Sequence, residues 1–293
     1  MDYPAATIES PITHVAADGY RLAAREYRAG GDVQGAVLIA GAMAVPQAFY
    51  SDLARWLAGR GWHVVTFDYR GMGESAPPTL RGFEADILTW ARQDCAAALA
   101  HAHAVAAQKP LLWIGHSLGG QILAMTPGNE MLAAAVTVAS GVGYWRENAY
   151  PLRRYSWWLW HAIVPVATAI CGYFPGRALG IVGDLPRGVI RQWSRWCRHP
   201  DYAVGVEGEA MRERYRRVTL AMLSISFTDD EYMSESNIAV LHGFYENARL
   251  EKRRQAPAAL GIPRVGHFGF FRAGVGDRLW PATVDWIADA LRA

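Results

Sequence analysis

The sequence predicts an α/β fold, a mostly parallel sheet covered by helices on both faces, with an inserted helical cap. Three observations carry that reading. From Gly35 onward short apolar runs alternate with longer amphipathic or alanine-rich segments, and strands buried on both faces of a parallel sheet read as unbroken apolar runs of this kind. The alternation stops at Gly141 and returns at Val218, and the tract between holds six of the chain's twelve tryptophans. Finally, an apolar run beginning at Leu111 ends in Gly-His-Ser-Leu-Gly-Gly, a sharp turn from a buried strand into a helix.

The elements follow in order. Residues 12–16 and 20–27 flank Ala-Asp-Gly, the turn of an antiparallel hairpin. Residues 36–40 are a buried strand, 46–60 a helix with Pro46 in its first turn, and 62–67 a second buried strand. A glycine-rich loop, Arg70-Gly-Met-Gly-Glu-Ser, precedes a long alanine-rich helix over 83–107. The strand at Leu111, the helix opened by Gly119 and Gly120, and an apolar strand at 133–139 complete the first part. After the tryptophan-rich tract come a strand over 218–227, a polar helix from Ser234, a short segment at 250–254 and an amphipathic helix over 281–291. The division is therefore a core of 1–140 and 218–293 and a helical cap of 141–217.

Composition narrows the function classes. With 293 residues, 52% of them apolar, the chain has the material for a large buried core. A net charge of +2 gives no case for nucleic acid, and the basic clusters at 212–217 and 252–254 read as solvated faces. Cys95, Cys171 and Cys197 are odd in number and widely spaced, which suits reduced, mostly buried thiols in a cytoplasmic protein. The first ten residues lack the basic-then-apolar build of a secretory signal, so the mature chain is expected to begin here. Residues 157–174 are uncharged and apolar, but His161 and Pro165 interrupt them; their length is marginal for a bilayer, and a buried or lid element is expected. The Cys197, His199 and Asp201 grouping matches no common zinc spacing. No metal and no cofactor is expected.

The turn at Leu111 to Gln121 is where chemistry can reside. Gly-x-Ser-x-Gly holds its serine at the tip of a strained bend that only small neighbours permit. Ser117 would present its hydroxyl there, with the Leu118 N–H and the helix N-terminus favouring negative charge beside it. A serine hydroxyl needs a base and a group that orients the base. Of nine histidines, His267 has the fitting setting, a late glycine-flanked loop; His116 adjoins the serine but reads as structural. Asp229 and Asp230 end the 218–227 strand, the position where catalysts gather in open α/β sheets, and either suits the acid. A second oxyanion donor is expected from Ala42 or Met43, in the loop after the first parallel strand.

Gly-His-Ser-Leu-Gly-Gly at 115–120, Phe-Asp-Tyr-Arg-Gly-Met-Gly-Glu-Ser at 67–75 and the late Gly-His-Phe-Gly resemble the α/β-hydrolase superfamily. The segments at 45–50, 172–177 and 191–202 are similar to a bacterial branch of it with a tryptophan-rich cap. The resemblance implies the α/β-hydrolase fold, the triad order Ser, Asp, His, and Asp230 as the acid with Asp229 as the alternative. It also implies structural roles for Asp68 and Arg70. Ala40-Gly41 stands where many members carry His-Gly. The expected activity is a serine hydrolase cleaving a small-molecule carboxylic ester or thioester, with an apolar or aromatic substrate held against Trp145, Trp157 and Trp160. An acyltransferase on the same triad and a non-catalytic binder on this scaffold are the alternatives; dehalogenase and epoxide-hydrolase chemistry would require a carboxylate where Ser117 stands.

Overall fold

The computed structural model describes residues 7–292; the N-terminal reading, as far as it concerns residues 1–6, lies outside them. β1 (Ile8–Val15) and β2 (Arg21–Arg28) alternate exposed and buried residues and pair antiparallel across the Ala16 to Tyr20 turn. β3 (Gly35–Ala40), β4 (Trp62–Phe67), β5 (Leu111–His116), β6 (Ala134–Val138) and β7 (Ala221–Phe227) are almost wholly buried. β8 (Arg249–Gln255) closes the far edge. The strands form one sheet in the order β1-β2-β4-β3-β5-β6-β7-β8, with β2 antiparallel to β4 and every pair from β4 to β8 parallel.

Side-chain alternation along the central strands feeds two apolar layers. On β3, Ala36, Leu38 and Ala40 face a layer with Trp90, Leu99 and Trp113, while Val37 and Ile39 face one with Leu53, Trp56, Trp280 and Ile287. Each fully buried Leu or Ile contributes about 1.5–3 kcal/mol by leaving water. Helices Ser51–Ala58 and Trp280–Ala290 cover the second layer and helix Ala96–Ala106 the first.

Several boundaries moved for local reasons. The 46–60 helix opens as a 3-10 turn, Gln47–Tyr50, because Asp68 takes the Gln47 amide. The 83–107 helix begins only at Ile87, where the Asp86 carboxylate accepts from the Thr89 amide, and it carries a π turn at Trp90–Cys95. From that turn Asp94 binds the Arg70 amide and guanidinium, and Trp90 donates to the Arg70 carbonyl. Asp68 accepts the Glu74 amide, so Asp68 and Arg70 fasten the glycine-rich loop. The 250–254 segment is the edge strand β8, whose charged residues conceal its type and blunt an exposed sheet edge.

The elements between β6 and β7 are all helical. They run from Trp145–Glu147 through Leu152–Trp158, Leu159–Ile163, Val164–Cys171, Gly176–Leu179, Arg187–Cys197 and Tyr202–Glu207 to Glu209–Arg216. Trp160, Phe174, Trp196, Tyr202 and Tyr215 join the first apolar layer, and Gln192 Oε1 accepts the amides of Ile87 and Leu88. Of the two readings of residues 157–174, a fully buried element does not fit, because Trp157, Trp158, Val166 and Ile170 are exposed while Trp160, Val164 and Thr168 are buried. Among the described residues no helix is long and apolar enough to cross a membrane. Cys95 and Cys197 are buried free thiols and Cys171 a half-buried one.

Candidate active site

Ser117 follows β5 directly, with φ +50° and ψ −107°. That conformation is costly for a residue with a side chain and persists only where the surroundings impose it. Glycines do so here: a Cβ on Gly115 would lie 2.6 Å from Gly119, and one on Gly119 would lie 2.0 Å from the Ala40 carbonyl. The Ser117 amide donates to the Val138 carbonyl at 2.9 Å, locking the bend to β6.

The helix after the serine is shorter than expected, a single turn Leu118–Gln121 followed by a 3-10 turn Leu123–Met125. A helix stopped so early leaves carbonyls without partners, which a buried site does not tolerate. Side chains take them. Trp113 Nε1 binds the Gly119 carbonyl, Tyr245 Oη that of Gly120, Tyr215 Oη that of Gln121 and Thr126 Oγ1 that of Ile122. Tyr202 Oη donates to Gln121 Oε1. With one turn the macrodipole is small.

His267 and the acid come from the loops after β8 and β7. His267 Nδ1 lies 2.9 Å from Asp230 Oδ2 and 3.1 Å from Oδ1, with both side chains almost fully buried. A carboxylate only accepts, so Nδ1 carries the proton and Nε2 is left basic. Asp230 also accepts the amides of Tyr232 and Met233. Asp229 faces elsewhere: its Oδ2 accepts the amides of Val265 and Gly266, while Glu231 Oε2 accepts the His267 amide at 3.1 Å. Three consecutive acids thus hold one histidine loop, the central one by the imidazole and its neighbours by the backbone. The Asp-Asp-Glu run was the available signal for Glu231.

His116 joins the parts. Its Nε2 lies 3.0 Å from the His267 carbonyl and so carries the proton; its Nδ1 then accepts from Tyr50 Oη at 3.0 Å, and Tyr50 Oη accepts the Ala42 amide at 2.7 Å. Burial, with His267 beside it, holds the His116 pKa well below the ordinary histidine range, which keeps this single-proton arrangement neutral. The rings of His116 and His267 are 5.1 Å apart, so the residue preceding Ser117 touches the base. Of the two expected oxyanion donors, Ala42 has its N–H committed to Tyr50, whereas the amides of Met43 and Leu118 have no partner among the described residues. Nothing in the sequence marks Tyr50 for this position.

An apolar cavity of about 150 Å³ is enclosed mostly by the helices between β6 and β7, through Leu159, Trp160, Phe174, Ile190 and Trp193 among others, and is closed by Tyr232 and Met233, which follow Asp230. Tyr232 also packs on His267, 4.9 Å between rings. Of the three tryptophans expected at the substrate, Trp160 lines this cavity. Trp145 and Trp157 do not: Trp145 is half-buried against His161, and Trp157 is exposed and packs on Trp158 and His161. Trp193 takes their place because it follows Trp160 edge-to-face at 5.0 Å. His199 accepts the Asp201 amide through Nδ1, and Cys197 lines the cavity.

A sequence profile of the α/β-hydrolase family described as serine aminopeptidase, S33, matches residues 24–173. No curated protein sequence matches the chain. Among solved structures, a thermostable carboxyl esterase from Bacillus coagulans superposes with TM-score 0.68 at 10% identity, covering 97% of this chain and 99% of that one. A soluble variant of monoglyceride lipase from Saccharomyces cerevisiae, bound to a substrate analogue, gives 0.65 at 13% identity, with 99% and 98% covered. An esterase from Pyrococcus furiosus gives 0.61 at 12% identity, with 95% and 90% covered. These likenesses share the fold.

Proposed function

Because the chain belongs to the serine aminopeptidase S33 family of α/β hydrolases, we propose that it hydrolyses a carboxylic ester or thioester with an apolar acyl or aromatic group, through Ser117, His267 and Asp230. The observation that carries this reading is the buried Asp230–His267 pair, whose imidazole packs 5.1 Å from the ring of His116, the residue preceding a serine in forced backbone geometry. Ser117 Oγ attacks the carbonyl carbon while its proton passes to His267 Nε2; Asp230 holds the Nδ1 proton and stabilises the imidazolium. The N–H groups of Leu118 and Met43 receive the oxyanion, each such donor contributing about 3–4 kcal/mol to the transition state. The carbonyl re-forms as the alcohol or thiol leaves with the proton from His267. A water molecule then gives a proton to His267 Nε2 as its oxygen bonds to the acyl carbon; the Ser117 Oγ–carbon bond breaks, Oγ takes that proton back from His267, and the acid is released.

The cavity supports an ester over a peptide amine. It offers no carboxylate for a substrate ammonium, and a volume of about 150 Å³ is that of an apolar pocket able to accept a benzene-sized group. A p-nitrophenyl ester series tests the reading. Turnover is expected to peak at an acyl chain of about six carbons and to vanish in Ser117→Ala; equal turnover by Ser117→Ala, or none by the folded wild type, contradicts it.

A further inference from the structure

Residues 152–171 form one helical rod in three pieces, Leu152–Trp158, Leu159–Ile163 and Val164–Cys171, the middle one a π turn. Its buried stripe is narrow, every fourth residue: Ser156, Trp160, Val164 and Thr168. From the inner side Leu152, Ser156, Leu159 and Trp160 line the apolar cavity. The outer side is also apolar. Tyr155 is 63% exposed, Trp158 60%, Val166 57% and Ile170 71%. A continuous exposed patch of this kind marks an interaction surface.

Charge around the patch identifies its partner. No aspartate or glutamate occurs from Asn148 to Gly183. Arg146, Arg153 and Arg154 stand at one end of the rod; at the other are Arg177 and Arg81, whose guanidinium reaches the Ile170 carbonyl. None of these five makes an ion pair among the described residues, and with no acid in the 148–183 stretch the charge around the patch is of one sign. The flanking acids in sequence leave the guanidiniums without an ion pair: Glu147 accepts from Ser236 Oγ, and Asp184 takes the Arg177 backbone amide.

We propose that the outer face of the 152–171 helix docks on an anionic lipid bilayer, lying along the surface without crossing it. Tryptophan and tyrosine sit at the polar–apolar boundary, aliphatic tips enter the acyl region, and unpaired guanidiniums bind phosphate oxygens bidentately. A second copy of this chain fits poorly, because two such faces meeting about a two-fold axis would oppose arginine to arginine with no carboxylate between. Since the same helix walls the cavity, docking would place that cavity against esters partitioned into the membrane; this clause alone rests on the hydrolase reading.

Vesicle flotation tests the surface. The full chain is expected to float with phosphatidylcholine vesicles containing about 30 mol % phosphatidylglycerol and at least about tenfold less with phosphatidylcholine alone. Trp158→Asp/Ile170→Asp should lose flotation about tenfold or more while keeping its circular dichroism and its turnover of a water-soluble acetate ester. Wild type that stays in the dense fraction overturns the proposal, as does a double variant that floats like wild type. A wild-type dimer that the double variant splits, with no flotation, assigns the face to self-association and also overturns it. Flotation by a wild type that hydrolyses no ester retains the docking surface and removes only the hydrolase reading.

Discussion

Two regions meet through Tyr232, which packs on His267 and lines the cavity that the 152–171 helix walls, and they are held in different ways. Around His267 directional bonds dominate: Asp229, Asp230 and Glu231 together accept five backbone amides and the imidazole. The 152–171 helix instead rests on a narrow stripe of Ser156, Trp160, Val164 and Thr168, whose two hydroxyls bond back to the carbonyls of Leu152 and Val164 in their own helix. Among the described residues, Asn148 Nδ2 donating to Ser156 is the one side-chain bond that reaches this stripe from outside that helix. Proton transfer needs atoms placed to within a few tenths of an ångström, which charge-assisted hydrogen bonds supply. Selecting an acyl group needs shape and apolar area, which can vary residue by residue without disturbing the chemistry.

Substitutions can break or sharpen that contrast. The largest effect is expected for Asp230→Asn, which leaves the loop in place but removes the charge facing Nδ1; kcat should fall by about 10⁴. Asp229→Asn keeps the imidazole partner and weakens only the grip on the loop, so kcat should fall by about tenfold and stability by about 1–3 kcal/mol. If Asp229→Asn is the more damaging for turnover in steady-state kinetics, the triad assignment shifts by one residue. On the other side of the cavity, Trp193→Ala should move the preferred acyl chain upward by several carbons and change kcat/KM for the original best ester by about 10–100-fold, with acetate turnover kept. A uniform loss across the ester series would mean that the cavity wall, here Trp193 of helix Arg187–Cys197, serves the chemistry as well.

Smaller effects lie in the supports. Tyr50→Phe removes the hydroxyl linking Ala42 to His116; a loss of about 1–2 kcal/mol in urea denaturation and a lower kcat at unchanged KM are expected. His242 is held by Thr137 and by the Ile238 carbonyl, and burial lowers its pKa from 6.5 to about 4. The unfolded chain therefore binds the extra proton first: its contribution is complete above about pH 6.5 and is lost as pH falls toward 4. Between pH 7.5 and 5 this amounts to about 2 kcal/mol. His242→Gln should flatten that part of the stability profile, measured by urea midpoints at each pH.

The sequence exposes the directional region better than the apolar one. β4 has the bounds that its apolar run suggests, and glycines flanking Ser117 and His267 announce bends that few other residues could make. Asp229 and Asp230 were inseparable because their difference is one of direction after a turn, which pattern does not encode. Tyr50, 66 residues from His116, and the tyrosines that end the elbow helix are long-range partners that no local period reveals. Between β6 and β7, composition marks the tryptophans without saying which face inward: Trp160 and Trp193, from two different helices, line the cavity while Trp157 faces out.

The central claim is that Ser117 is a nucleophile activated by His267. Mass spectrometry of the folded protein after reaction with a fluorophosphonate probe tests it most directly: a single phosphonyl adduct is expected on the peptide containing Ser117, absent from Ser117→Ala and strongly slowed in His267→Ala. An unmodified wild type, or an adduct on another residue, would contradict the account.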